Sequence, residues 1–100
     1  MKRSPIIAVA LLASLGAASA ATPAPLKGSA YLSQAKVSLE RARAIALAKE
    51  HGTIVDQELE REGGHLRYSF FVKVGKIVRE VGVDAVTGTV LEDSLDTGND

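Results

Sequence analysis

From Thr53 to Val83 apolar and polar residues largely alternate with a period of two, interrupted by turns at Gly63-Gly64 and Gly75-Lys76. Alternation of this kind marks strands buried on one face, and two-residue loops of glycine with glycine or lysine suit tight hairpin turns. The pattern predicts three consecutive strands, "TIVDQELERE", "HLRYSFFVKV" and "IVREVGV". Loops at 63–64 and 75–76 also set the register. The first places Glu62 opposite His65, Leu59 opposite Tyr68 and Val55 opposite Val72. The second places Val74 opposite Ile77, Phe70 opposite Val81 and Tyr68 opposite Val83. Both turns then yield one apolar face, with Val55, Leu59, Leu66, Tyr68, Phe70, Val72, Val74, Ile77, Val81 and Val83, and a one-residue slip in either would destroy it. The opposite face collects Asp56, Glu58, Glu60, Arg67, Ser69, Lys73, Glu80 and Asp84, with Glu60 and Asp84 flanking Arg67 across the strands.

Upstream, "SLERARAIALAKEHG" has helical spacing instead, with Leu39, Ala42, Ile45, Ala46 and Lys49 along one side. Ser38 can cap the free amides of the first turn, Glu40 suits the positive helix start, and Lys49 and His51 suit its end. Gly52 is the expected C-cap. An alanine-rich stripe lets such a helix lie close to a sheet. Downstream, "VDAVTGTV" is a hairpin device: Asp84 offers its carboxylate to nearby amides, Thr87 precedes the bend, and Gly88 supplies a positive φ. Thr89 to Leu91 form a short last strand. The fold expected is α+β, one N-terminal helix packed on one face of an antiparallel sheet of three to four strands. Residues 37–92 form this domain, 21–36 a flexible lead-in rich in proline, glycine and serine, and 93–100 a polar tail.

Residues 1–20 stand apart. Lys2 and Arg3 precede the apolar run Ile6 to Leu15, and Ala18-Ser19-Ala20 has the small-residue spacing of a cleavage site. That layout predicts a secretory signal peptide cut between Ala20 and Ala21, hence a periplasmic or secreted chain without stable membrane insertion. The ten-residue apolar run falls short of the roughly 20 residues a spanning helix needs. Without Lys2 and Arg3, ten basic residues remain of the twelve, against twelve acidic ones, a balance unlike that of a nucleic-acid binder. No cysteine is present, so packing alone must hold the domain together.

The start "SLERARAIALAKEHG", the strand with "IVD", Tyr68, and the end "VDAVTGTVLE" resemble a PepSY domain over about Val37 to Glu92. PepSY domains occur in propeptides of thermolysin-type metallopeptidases and in many exported bacterial proteins. The resemblance implies a helix on an antiparallel sheet, no catalysis, and a role in restraining peptidases. No peptidase follows the domain in this sequence, so inhibition is expected to act in trans, with a secreted peptidase or an envelope sensor as partner.

Candidate chemistry is sparse. His51 and His65 are the only histidines and lie outside any His-Glu-x-x-His motif. No Gly-x-Ser-x-Gly or cysteine nucleophile exists, and "VGKIVRE" lacks the serine or threonine of a phosphate loop. Asp93, Asp96 and Gly98 miss calcium-loop spacing. Neither enzyme, cofactor nor metal is expected. Phe71 alone violates the pattern, an aromatic on the polar face with Ile54 and Val78 diagonal to its cross-strand neighbours. These three residues are the expected partner-binding patch. The function expected is an exported, non-catalytic protein-binding module, a modulator or inhibitor of peptidases. The alternative is a small structural or stress-related envelope protein with weak or no specific ligand or metal binding.

Overall fold

A computed structural model describes residues 24–98, and the expected leader with its cleavage point lies outside the described residues. The chain forms β1 (Leu26–Lys27), a 3-10 helix (Ser29–Gln34), α1 (Leu39–Lys49), β2 (Thr53–Glu62), β3 (His65–Val74), β4 (Ile77–Asp84) and β5 (Val90–Leu95). The strands make one sheet in chain order, antiparallel except where β1 joins β2 in parallel. Among the described residues the result is α+β with one α-helix and five strands, β1 being the shortest. The hairpin registers place Glu62 opposite His65, Leu59 opposite Tyr68 and Phe70 opposite Val81.

Helix α1 starts where the Ser38 hydroxyl accepts the Arg41 amide at 3.1 Å. It buries Ala42 and Ala46 completely and leaves Leu39, Ile45 and Leu47 half-buried against the sheet. Under it lie Leu59, Tyr68, Phe70, Val72, Val81 and Val83, each about 1% exposed or less. The Tyr68 hydroxyl donates to the Val37 carbonyl at 2.7 Å, which ties the approach to α1 onto the central strand. Burial raises the pKa of that phenol, so Tyr68 stays a neutral donor.

Four expectations need correction. Register between β2 and β3 shifts between Ile54 and Asp56, so Ile54, not Val55, stands opposite Val72. The extra residue in β2 turns Ile54 into the core, 8% exposed, and leaves Val55 47% exposed. Ile54 therefore belongs to the helix side and leaves the proposed patch. Gly52 is not the C-cap: α1 ends at Lys49 with Glu50 as the capping residue. A side chain at Gly52 would meet the Lys73 carbonyl oxygen at 2.1 Å, so the glycine permits a close approach of backbones. Within the expected lead-in, Leu26 and Lys27 pair with Gln57 and Glu58, and the 3-10 helix follows. Finally, β5 reaches Leu95, three residues into the expected tail, and the last strand begins at Val90 rather than Thr89.

Candidate functional site

The bulge in β2 decides what each sheet face carries. After it, Gln57 faces the helix and is 2% exposed, accepting from Arg43 Nη1 at 2.9 Å and donating to the Ala24 carbonyl. Asp56 is left on the open face beside Phe71, held by Lys27 of β1 at 2.9 Å. Glu58, Glu60 and Glu62 follow at alternate positions of β2 and so share that open face.

Arg67 on β3 organises the centre of the face. Its side chain is 7% exposed and lies across Gly82 of β4, where a Cβ would stand 2.3 Å from Nη2. Only a glycine leaves the guanidinium this slot. Arg67 Nε donates to the Ser69 hydroxyl at 3.0 Å, and Nη2 donates to Glu92 at 2.9 Å and to Glu80 at 3.4 Å. The Ser69 hydroxyl in turn donates to Glu60 at 3.2 Å, and the Ser94 hydroxyl to Glu92 at 2.8 Å. The cross-strand flanks expected for Arg67 are present as Cα partners, Glu60 and Asp84, but its hydrogen bonds go elsewhere. Burial pushes the Glu92 carboxyl up, yet the Ser94 hydroxyl and the Arg67 guanidinium pull it further down, to below its ordinary value.

Above this network the face hollows into a concavity of about 410 Å³ lined by Glu58, Glu60, Glu62, Phe71, Glu80 and Glu92. Phe71 is half-buried and stands opposite Asp56 on one side and Glu80 on the other. Val78 shares the face, half-buried opposite Lys73. Of the three patch residues, Phe71 and Val78 are thus on one surface, and Ile54 is behind it. Glu62, Glu92 and Gly82 are additions to the expected site. Glu62 continues the alternation of β2, and a glycine inside a strand is a signal for close approach, so two of the three had a local trace.

The turn from β4 to β5 closes one end of the sheet. Asp84 Oδ1 accepts the amides of Val86 and Thr87 at 2.7 and 3.0 Å, the Gly88 amide donates to the Asp84 carbonyl at 2.9 Å, and Gly88 has φ +84. His65 Nδ1 lies 2.8 Å from Asp84 Oδ2 and links this turn to the first hairpin. Burial pushes the Asp84 carboxyl up, but the two amides and His65 outweigh it and leave the group below its ordinary value of 3.8. A lowered folded pKa contributes stability above the unfolded value and loses it as pH falls through the folded one. Asp84→Asn is expected to cost about 1 kcal/mol at neutral pH and to flatten the acid limb of stability below about pH 4. Melting temperatures of both proteins across that range check this; parallel curves would assign the acid limb to other groups.

No three histidine, aspartate or glutamate side chains among the described residues meet in a way that could hold a metal ion. The open face presents charge and one aromatic ring. A family model described as "Peptidase propeptide and YPEB domain" (PepSY) matches residues 36–93, more than half of the chain. No curated protein and no solved structure matches it.

Proposed function

The chain belongs to the PepSY family, and on that premise we propose that it is an exported, non-catalytic protein-binding module that restrains a peptidase in trans. Its family supports a propeptide-like or peptidase-related role, and the open face supports recognition rather than reaction. Export rests on the leader sequence in residues 1–20. No helix among the described residues is long and apolar enough to cross a membrane.

The observation that carries the reading is Phe71. Its ring lies on the face opposite α1, between Asp56 and Glu80 and in the wall of the concavity, where the domain's own core does not cover it. Because the ring is already half-buried, covering its exposed part in a partner contributes a fraction of the about 1.5–3 kcal/mol that a fully exposed ring would gain. The test uses inhibition of a panel of secreted thermolysin-type metallopeptidases by the added protein. Phe71→Ser is expected to leave circular dichroism and melting nearly unchanged and to weaken inhibition by at least about tenfold. A large loss of stability in this variant would make Phe71 a core residue. Inhibition unchanged by the substitution would move the contact off this face, and no inhibition by the native protein would remove the peptidase role.

A further inference from the structure

We infer that the partner segment received on the open face is an extended, basic stretch of protein, with lysine or arginine at alternate positions. This rests on the reading of that face as the docking surface, and it adds the chemistry of what docks.

The charge argument starts from segregation. The whole chain is balanced, twelve basic residues against twelve acidic, yet five glutamates line one concavity over a single guanidinium, that of Arg67. Arg67 makes its closest carboxylate contacts with Glu92 and Glu80, on β5 and β4, and its Nε stands 4.0 Å from Glu62. Along β2, Glu60 accepts the Ser69 hydroxyl, Glu62 has Arg67 at 4.0 Å, and Glu58 shares the Lys27 ammonium of β1, which is itself paired with Asp56. Like charges side by side on a sheet cost stability, and a partner's cations would relieve that cost.

Geometry narrows the partner further. Alternate residues of a strand are about 6.6–6.8 Å apart, so the three glutamates of β2 match every second side chain of an extended segment laid across the face. Arg67 already shows what this surface accommodates: a flat guanidinium with carboxylates on one side and a hydroxyl on the other. Phe71 adds a ring against which an aliphatic lysine or arginine stem can pack, with the cation over its π-face. A metal ion would leave Phe71 without a role. A second copy would bring two acidic faces together, and an apolar helix would bury the glutamates without counter-charges.

The test is a titration of the isotope-labelled protein with an eight-residue peptide alternating lysine and valine, followed by amide chemical shifts. Comparison titrations use the glutamate-valine counterpart and calcium chloride. The lysine peptide is expected to shift the amides of Ser69, Phe71 and Gly82, with binding weakened at least about fivefold when salt is raised tenfold. Glu58→Gln, Glu60→Gln and Glu62→Gln combined should weaken it by about tenfold or more while melting stays level or rises. Equal binding of the glutamate peptide would overturn the inference. So would calcium shifting these amides while the lysine peptide shifts none. If the lysine peptide fails but Phe71→Ser still weakens peptidase inhibition, the docking face stands and the basic partner falls. If both fail, both readings fall.

Discussion

Phe70→Ala is expected to lower the unfolding free energy by about 3–5 kcal/mol, while Phe71→Ala, one residue on, costs less than about 1 kcal/mol. The two rings share a backbone and almost nothing else. Phe70 is fully buried, stacked on Tyr68 with ring centroids 5.8 Å apart, and flanked across the sheet by Gln57 and Val81. Truncating it opens a cavity beneath α1 that neighbours in a small core fill only in part. For a domain of this size, stability of about 0.05–0.15 kcal/mol per residue is usual, so Phe70→Ala should remove a large share of the total. Phe70→Leu keeps most of the volume and gives a measurable intermediate. Urea denaturation followed by circular dichroism checks the series. A larger loss at Phe71 than at Phe70 would mean that the faces of β3 are exchanged.

That contrast was legible in the sequence because glycine turns fix register from both ends of β3. A one-residue slip at Gly63-Gly64 would set Tyr68 beside a glutamate instead of Leu59, and one at Gly75-Lys76 would take Tyr68 and Phe70 off Val83 and Val81. The bulge in β2 had no such marker. Ile54 and Val55 are both β-branched and apolar, and alternation gives either an equal claim on the core. Contacts from distant segments settle it: Val72 receives Ile54, and Lys27 of β1 holds Asp56 on the far side. The lead-in was opaque for a similar reason. Its prolines read as loop, while Gly28 sits so near β2 that a side chain there would meet the Leu59 carbonyl oxygen at 2.0 Å. Such an approach exists only in three dimensions.

The site followed the same division. Phe71 announced itself by breaking a period of two, and Glu58, Glu60 and Glu80 fell on its face by counting. Glu92 did not, because "LEDSL" has the polar composition of a tail. It becomes a strand through arginines that meet it on opposite faces of the sheet. Arg67 holds Glu92 on the open face, and Arg79 joins Asp93 at 3.2 Å and Glu50 at 3.2 Å on the helix side. Residues with weak strand preference thus extend β5 because the charges they need are already in place.

Arg67→Met is expected to destabilise the domain by about 3 kcal/mol at neutral pH, the scale for removing one partner from a buried ion pair, and to reverse its response to acid. In the native protein the Glu92 carboxyl lies below its ordinary value of 4.5, despite burial, because Ser94 and Arg67 favour the charged form. A group lowered in this way stabilises the fold above its unfolded pKa and loses that contribution as pH falls through the folded one. With methionine at 67 the cation is gone and burial, the largest influence on Glu92, outweighs the Ser94 hydrogen bond that remains, so the folded pKa of Glu92 moves above the unfolded value. The sign then changes: the folded state binds protons more readily, and acidification from pH 7 towards about pH 5 stabilises the variant. Urea midpoints at the two pH values should rise on acidification for Arg67→Met and stay level or fall for the native protein. Arg67→Lys keeps the charge but not the fork that reaches Ser69, Glu80 and Glu92 together, and should cost about 1–2 kcal/mol. It should also retain the native direction of the pH response. If Arg67→Met instead loses stability on acidification in parallel with the native protein, the guanidinium is not what holds Glu92 charged, and the acidic concavity owes its stability to solvent rather than to Arg67.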